Sequence, residues 1–521
     1  MIAWAVPSGS FPFASYRSGQ REALDAARGA FEDGKRFVVV EAPTGSGKSA
    51  IAVALAREAG ASYILTAQKV LQAQYTRDFP ELSLMKGRSN YPCLVAPTHA
   101  AAAPCIAGRR FPACDACPYF MAKDVAMASS AVTMNYAYYL AELNYAGGFR
   151  ERELLVLDEA HNAEGALMGF VQVTLNEAAL ARAGVTRKLP PPLGDDGYFD
   201  FAEDLVPDLM ERGRDLEAEL RGGELAEPAA LARLQAKQWL DGQLARLELL
   251  VSSRDQDGVD WVVERRRTQA GETLAFKPVE VAPFAEDLLF GHAERVLMLS
   301  ATVLDPATFL RGLGIAPEDA AVIRTPSSFP AENRPLVLMP TTRLTRHYLE
   351  AGLPKLVAAI AGLCERHGEE KGVIHAHSYR IARAIERALP REHAWRLVTH
   401  HDASEREAAL AAHLESDEPT ILLSPSMTEG IDLAEDLARW QVLCKIPYPY
   451  LGDPQVARRM ELDPGWYDWR TCLTVVQAYG RTVRSEDDFA VTYLLDADFP
   501  AYLRRQRGHF PDWFLEALQP D

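Results

Sequence analysis

The stretch APTGSGKS at residues 42–49 lies between two segments of contrasting character. The β-branched run RFVVVE at 36–41 precedes it, and IAVALAREAG at 51–60, of helical composition, follows it. Strand, glycine-rich loop and helix in this order form a phosphate-binding loop, in which Gly45 and Gly47 let backbone N–H groups curl around phosphate oxygens. Lys48 would reach the β and γ phosphates, and Ser49 would hold Mg²⁺. The stretch predicts a nucleotide site, although Ala42 replaces the first glycine of the general pattern.

Two later apolar runs end in polar residues that are predicted to take part in this nucleotide site. The run at 153–157 ends in Asp158-Glu159-Ala160-His161, and open α/β sheets carry their functional groups at the carboxyl ends of strands. We expect Asp158 to bind Mg²⁺ through water and Glu159 to orient and deprotonate the attacking water. The run at 295–299 leads into Ser300-Ala301-Thr302, whose hydroxyls are predicted to link the nucleotide site to a neighbouring groove.

Composition limits the class of protein. The chain has 521 residues, enough for about three or four domains. It contains no run of 18 apolar residues, and its first residues lack a basic segment, so we expect a cytoplasmic protein without a membrane span. A formal charge of −17 argues against a protein that coats nucleic acid, so any contact with DNA needs a focused basic lining.

The seven cysteines fall into two groups. Cys364, Cys444 and Cys472 are isolated and are expected in the core, as in a reducing compartment. The other four follow the pattern C-x₁₁-C-x₈-C-x₂-C and are Cys93, Cys105, Cys114 and Cys117. Four thiolates suit either Zn²⁺ or a [4Fe–4S] cluster, and the spacing alone does not decide between them.

Five more segments, in order, carry a resemblance to a known family. They are YRSGQ at 16–20, LTAQKVLQAQ at 65–74, GVIHAHSY at 372–379, SMTEGID at 426–432 and QAYGRTVR at 477–484. Together with KGRSNYPC at 86–93, they resemble the XPD/DinG-like family of superfamily 2 iron–sulfur DNA helicases. The resemblance spans nearly the whole chain and favours the [4Fe–4S] cluster over Zn²⁺ at the four cysteines.

The last of these segments also has a physical interpretation. Gln477, Arg481 and Arg484 are spaced i, i+4, i+7, which predicts that they share one face of a helix. Two guanidiniums presented from a second lobe would stabilise charge on the γ-phosphate, as arginine fingers do.

The resemblance implies a full set of site residues. The catalytic set is Lys48, Asp158, Glu159, Gln477, Arg481 and Arg484, and the ATP-binding set is Arg17, Gln20, Thr44, Gly45, Ser46, Gly47, Lys48 and Ser49. Ser49 and Asp158 would bind Mg²⁺. DNA contacts are expected from Gln68, Lys69, Arg88, Thr302, Thr428 and Glu429.

The interval between His161 and Ser300 is too long for one helix and strand. Its 138 residues exceed the roughly 30 of a βαβ unit, so a domain is inserted there. Leu240, Leu244, Leu247 and Val251 form a helical stripe, and 261–276 predicts a β-hairpin turning near Ala270-Gly271. The insertion is similar to the arch domain of the family.

These placements predict an α/β fold of two RecA-like P-loop NTPase lobes, with a four-cysteine iron–sulfur insertion and a mainly helical arch insertion in the first lobe. The first lobe is expected at 1–85, 130–165 and 283–325, and the second at 326–521. The four-cysteine domain is expected at 86–129 and the arch at 166–282.

We therefore expect an ATP-dependent DNA helicase that acts as a monomer on single-stranded and forked DNA. Polarity from 5′ to 3′ is implied by the resemblance alone, and the pathway, such as DNA repair, has no signal in the residues. One alternative is an ATP-gated DNA translocase or damage-sensing clamp without processive unwinding. Another is a DEAH-type RNA helicase, which the four cysteines do not favour.

Overall fold

The computed structural model describes residues 9–67, 69–107, 111–222, 228–268, 271–327, 329–402, 405–425 and 433–519. The strands, in chain order, are β1 (Phe37–Glu41), β2 (Ser62–Thr66), β3 (Ser83–Leu84), β4 (Ala131–Asn135), β5 (Arg152–Asp158), β6 (Val173–Asn176), β7 (Trp261–Thr268), β8 (Gly271–Pro278), β9 (Ala293–Ser300), β10 (Ala320–Arg324), β11 (Leu336–Thr342), β12 (Gly372–His375), β13 (Leu397–Thr399), β14 (Ile421–Ser424), β15 (Trp440–Leu443), β16 (Val491–Asp496) and β17 (Leu518–Gln519).

The α-helices, in chain order, are α1 (Gln20–Glu32), α2 (Lys48–Glu58), α3 (Lys69–Asp78), α4 (Pro118–Ala128), α5 (Tyr136–Ala141), α6 (Ala163–Val171), α7 (Glu177–Ala183), α8 (Asp195–Gly222), α9 (Pro228–Ser253), α10 (Ala282–Ala285), α11 (Pro306–Gly312), α12 (Leu349–Arg366), α13 (Tyr379–Ala388), α14 (Arg391–Ala394), α15 (Arg406–Glu415), α16 (Pro454–Leu462), α17 (Pro464–Tyr479), α18 (Phe499–Arg505) and α19 (Asp512–Glu516).

The first sheet aligns the ends of its central strands. Its order is β10-β1-β9-β5-β2-β4-β3, and its pairings are parallel. β1 is buried along its whole length, as its apolar, β-branched sequence predicts. Glu41 pairs with Ser300, and Asp158 pairs with Leu299. The loops after β1, β5 and β9 therefore emerge side by side at one edge.

The second sheet has the order β13-β14-β12-β15-β16-β11-β17 and is also parallel. Helices cover its strands, as parallel sheets require. The predicted two-lobe α/β architecture is confirmed at this level, whereas the domain boundaries stay predictions.

The interval between β5 and β9 contains its own sheet and two long helices. Its strands pair antiparallel in the order β6-β8-β7, so the predicted hairpin is confirmed, and its turn at 269–270 lies outside the described residues. The predicted helical stripe lies in α9, which packs against α8. The strand β6 was not predicted.

Burial agrees with the expectation for the isolated cysteines, because Cys364, Cys444 and Cys472 are all buried. In the part of the chain that the structure describes, no helix combines the length and the apolar composition needed to span a bilayer.

Candidate nucleotide site

A cleft of about 730 Å³ lies between the two sheets. Residues from both lobes line it, and they include Arg17, Gln20, Thr44, Gly45, Gly47, Lys48, Ser49, Asp158, Glu159, Thr302, Gln477, Arg481 and Arg484. The structure therefore brings the predicted catalytic set and nearly all of the predicted ATP-binding set to one place. Ser46 differs, because its hydroxyl donates to the Pro43 carbonyl at 2.7 Å.

The phosphate-binding loop depends on its two glycines. Gly45 and Gly47 both have φ of +80°, a conformation that side chains disfavour. A Cβ on Gly45 would lie 2.5 Å from the carbonyl oxygen of Arg484, and one on Gly47 would lie 2.0 Å from Nε2 of Gln20. Both the backbone shape and the close approach of neighbouring groups thus require glycine here.

Arg17 and Gln20 contact the loop itself. Arg17 Nη1 donates to the Gly45 carbonyl at 2.5 Å, and Gln20 Nε2 donates to the Gly47 carbonyl at 3.0 Å. The Gln20 side chain also accepts from the Arg17 backbone N–H at 2.6 Å. Arg17 and Gln20 therefore bind two carbonyls of the phosphate-binding loop and connect that loop to the start of α1.

Lys48 is folded back on the loop. Its Nζ donates to the carbonyls of Ala42 at 3.0 Å and Pro43 at 3.3 Å, and it is buried at the first residue of α2. Burial lowers the pKa of Lys48, although the charges of Glu159 and Asp158 oppose the shift. Because Lys48 also lines the cleft, a phosphate that enters the cleft could replace the two carbonyls as its partner.

The two carboxylates after β5 differ in environment. Burial, followed by the charge of Glu159, raises the pKa of Asp158 to about 6. Burial acts in the same sense on Glu159, but the charges of His161 and Lys48 and of both arginines of the 477–484 segment bring its pKa below the ordinary value. Glu159 has φ of +52°, which turns it away from the strand direction. Two adjacent carboxylates of different pKa, one for a metal ion at Asp158 and one for water at Glu159, are suited to metal-assisted phosphoryl transfer.

A chain of polar contacts runs from the carboxylates across the cleft. His161 Nδ1 lies 3.3 Å from Glu159 Oε2 and 3.0 Å from Ser300 Oγ. Ser300 Oγ accepts from the Thr302 backbone N–H at 3.0 Å. Gln477 Nε2 then donates to Thr302 Oγ1 at 3.5 Å. The predicted link through Ser300 and Thr302 thus has a continuous set of partners that ends on the second lobe.

The prediction that Gln477, Arg481 and Arg484 share one face of a helix is wrong. Helix α17 ends at Tyr479, with Gly480 as its C-cap and the Gly480 N–H donating to the Val476 carbonyl. Only Gln477 is on the helix, and Arg481 and Arg484 lie in the turn that follows. The cleft nevertheless brings all three together, because the chain bends back at Gly480 towards the phosphate-binding loop.

Three lining residues had no signal in the sequence. Phe329 and Trp513 line the cleft from outside any predicted motif. Tyr75 of α3 has a buried hydroxyl, and burial together with the charge of Asp158 raises its pKa well above the ordinary value. Their roles follow from long-range packing, which local spacing does not show.

Two family models match the chain. The C-terminal helicase domain model matches residues 360–517, and the model of the res subunit of type III restriction enzymes matches residues 14–181. The relative named ATP-dependent DNA helicase DinG, from Photobacterium profundum, is 25% identical over 55% of this chain and 44% of its own length. The relative named ATP-dependent DNA helicase YoaA, from Escherichia coli, is 23% identical over 92% of this chain and 91% of its own length.

Solved structures show the same fold. An XPD helicase superposes with a TM-score of 0.66 at 14% identity, covering 95% of this chain and 98% of the other. S. tokodaii Xpd4 superposes with a TM-score of 0.60 at 16% identity, covering 96% and 99%. In sequence and in fold, the chain is similar to the XPD/DinG-like family of superfamily 2 helicases. The chain spans less than half of the length of the DinG relative.

The four clustered cysteines line one small cavity of about 20 Å³. Burial raises the pKa of Cys105, Arg88 lowers it, and the other three cysteines raise it again. Among the described residues, no group of three or more His, Cys, Asp or Glu side chains is arranged to hold a metal ion as it stands. The cysteines therefore converge without forming a preformed cage.

The structure describes only some of the six residues that were predicted to contact DNA. Gln68, Thr428, Glu429 and the side chain of Lys69 lie outside the described residues. The Arg88 guanidinium lies 4.8 Å from the ring centroid of Tyr119, beside the cysteine cavity. Thr302 is buried and lines the cleft. The two described placements do not by themselves favour a DNA contact, and all six assignments stay predictions.

Proposed function

We propose that this chain is an ATP-dependent DNA helicase that translocates along single-stranded DNA from 5′ to 3′ and unwinds duplex DNA. One observation carries the proposal. The cleft between the lobes unites Lys48, Asp158 and Glu159 with Gln477, Arg481 and Arg484. A nucleotide held between two lobes couples hydrolysis to their relative motion.

ATP hydrolysis follows from the roles of these groups. Lys48 would leave the loop carbonyls for the β and γ phosphates, and Ser49 and Asp158 would hold Mg²⁺, whose oxygen preference their donors match. A metal ion held by Ser49 and Asp158 would supply positive charge against the phosphate groups. Glu159, ionised because its pKa is lowered, would orient the attacking water and accept its proton. Arg481 and Arg484 would stabilise the charge that develops on the γ-phosphate.

Coupling to DNA is proposed to run through the polar chain described above. Glu159 contacts His161, which contacts Ser300, and Thr302 contacts Gln477 on the second lobe. Loss of the γ-phosphate would change the charge that Glu159 faces. The contacts at His161 and Ser300 would then transmit that change to the segments after β9, which are proposed to grip the DNA backbone.

The four cysteines are proposed to hold a [4Fe–4S] cluster, with Zn²⁺ as the alternative ligand. Four thiols around one cavity fit either metal centre in donor type. Burial, and to a lesser extent the neighbouring cysteines, raises the pKa of Cys105, and a bound cation would stabilise its thiolate form. Cys93, Cys105, Cys114 and Cys117 would hold the group and be cross-linked through it, and the region around them is proposed to form the wedge at the duplex fork.

The insertion between β5 and β9 is proposed to be the arch. Its helix α9 packs against the segments Ala100–Ala102 and Pro104–Ala107 of the cysteine region. We propose that a single strand of DNA passes beside the first lobe, near this contact between the two regions. We also propose that the chain acts as a monomer in the cytoplasm, with the domain boundaries given by the sequence.

Nucleotide hydrolysis in the presence of different strands tests the proposal. Single-stranded DNA is expected to stimulate ATP hydrolysis, and single-stranded RNA of the same sequence is not. The Lys48→Ala variant should be inactive with both. Equal stimulation by RNA would favour the RNA helicase alternative, and the absence of stimulation by either strand would contradict the proposal.

A further inference from the structure

A buried amide lies behind the turn that carries Arg481. Gln441, in the centre of the second sheet, has no exposed surface. Its Nε2 lies 3.0 Å from the Tyr479 carbonyl and 2.8 Å from Thr492 Oγ1. Its Oε1 lies 3.2 Å from His375 Nε2. An amide buried in a sheet core costs stability unless its groups are paired, and here both ends are paired.

The orientation of this amide follows from its partners. A carbonyl oxygen only accepts hydrogen bonds, so the nitrogen of Gln441 must face Tyr479. Its oxygen then faces His375, whose Nε2 must carry the proton. Because burial lowers the pKa of His375 to about 4, the imidazole is neutral at physiological pH and holds this single tautomer. The network therefore has one arrangement of donors and acceptors.

The partners of Gln441 flank Arg481 in the chain. Tyr479 is the last residue of α17, two positions before Arg481. Thr482, the residue after Arg481, has its Oγ1 3.4 Å from Gln441 Nε2. The helix ends before Arg481, whose carbonyl accepts from the Leu433 N–H at 3.3 Å. Gln441 thus ties both sides of the arginine to the core of the second sheet.

We propose that Gln441, supported by His375, is a positioning residue that fixes Arg481 in the geometry needed for ATP hydrolysis. The inference rests on the proposed function, in which Arg481 stabilises charge on the γ-phosphate. Gln441 is not among the residues that line the cleft, so it would act through its contacts with the Tyr479 carbonyl and the Thr482 hydroxyl. A displacement of an active group by about 1 Å costs about 100-fold in rate, whereas nucleotide binding by the loop of the other lobe is unaffected.

The test compares Gln441→Met with wild type and with Arg481→Ala, measuring kcat and KM for ATP at saturating single-stranded DNA. Methionine keeps the length of the side chain and removes its hydrogen bonds. We expect kcat to fall about 100-fold with KM nearly unchanged. In the Arg481→Ala background, Gln441→Met should lower kcat no further, because both changes remove the same contribution.

Gln243→Leu is the matched control, since Gln243 is a buried amide in α9 away from the cleft. It should leave kcat unchanged. If Gln441→Met does not fold, as judged by thermal melting, His375→Leu supplies the second variant. It should lower kcat about tenfold, the effect of one buried hydrogen bond, and should show the same non-additivity with Arg481→Ala.

Three results would overturn the inference: an unchanged kcat in the Gln441 or His375 variant, an equal loss in Gln243→Leu, or a further loss in the Arg481→Ala background. These differ from a failure of the proposed function. That failure would appear as absent ATP hydrolysis by the wild type or as normal turnover by Arg481→Ala.

Discussion

His161 Nδ1 lies 3.0 Å from Ser300 Oγ, and the same ring nitrogen lies 3.3 Å from Glu159 Oε2. His161 follows β5, and Ser300 is the last residue of β9. These strands are neighbours in the first sheet, where Asp158 pairs with Leu299. The His161 imidazole thus connects Glu159, which is proposed to orient the attacking water, to the segment 300–302. That segment contacts Gln477 on the second lobe. This position is the basis for the proposal that His161 and Ser300 couple ATP hydrolysis to DNA movement.

Ser300→Ala is therefore expected to separate hydrolysis from unwinding. Removing one buried hydroxyl that serves two partners costs about 1.4 kcal/mol, or about tenfold. We expect strand separation to fall about tenfold while ATP hydrolysis stays near the wild-type rate, measured side by side on the same preparation. Ser83→Ala is the control, because Ser83 Oγ contacts Ser129 at 2.6 Å away from the cleft. A parallel loss of both activities in Ser300→Ala would count against a coupling role.

Arg481→Ala is expected to lower turnover about 1,000-fold or more while leaving nucleotide binding measurable. Arginine fingers contribute about 1,000-fold or more to hydrolysis, whereas the phosphate-binding loop lies on the other lobe. The checks are kcat from steady-state hydrolysis and the affinity for a fluorescent ATP analogue. The exposed Arg366 of α12 provides the control variant Arg366→Ala. Normal turnover by Arg481→Ala would remove this arginine from the site.

Cys105→Ser is expected to impair unwinding more than basal ATP hydrolysis. Cys105 shares its cavity with the other three cysteines, so its loss would release the bound metal and loosen the wedge. Iron, acid-labile sulfide and zinc should be counted in anaerobically purified wild type and variant. Cys364→Ala, which changes a buried cysteine of α12, should keep the wild-type metal content. Unimpaired unwinding by a metal-free variant would contradict the wedge role.

Acid should destabilise the fold partly through His375. Burial lowers its pKa from 6.5 to about 4, so the unfolded chain binds the proton first as pH falls. The contribution of His375 to the free energy of unfolding is then fully present above about pH 6.5 and is lost as the pH falls towards about 4. Between about pH 7 and pH 5 this residue should account for about 2 kcal/mol of the loss.

Urea unfolding of wild type and His375→Gln at both pH values measures this contribution. The variant should lose less stability on acidification than the wild type. His401→Gln, at a largely exposed histidine, should behave like the wild type. Equal losses in all three proteins would mean that His375 is protonated in the folded state as readily as in the unfolded chain.

Local patterns predicted the parts of the site that depend on neighbours in sequence. The loop at 42–49 requires only a strand, two glycines and a helix start, and β1, α2 and the positive φ angles of Gly45 and Gly47 follow that pattern. The same holds for the hairpin of β7 and β8, whose alternation and turn residues lie within one short segment.

Contacts between distant segments were harder to predict. The spacing of Gln477, Arg481 and Arg484 fits a helix, but Gly480 ends α17, and the three residues meet by a bend instead. Arg88, in a basic segment, packs on Tyr119, a partner that no local pattern names. No sequence motif marks Gln441, because its proposed positioning role depends on how the second sheet places it beside Tyr479.

The most direct test of the account is ATP-dependent strand separation by anaerobically purified protein on two matched duplexes, one with a 5′ single-stranded tail and one with a 3′ tail. Arg481→Ala serves as the inactive reference. We predict unwinding of the duplex with the 5′ tail alone. Unwinding of the 3′-tailed duplex alone would contradict the proposed polarity, and ATP hydrolysis without unwinding of either duplex would contradict the helicase assignment in favour of a translocase or clamp.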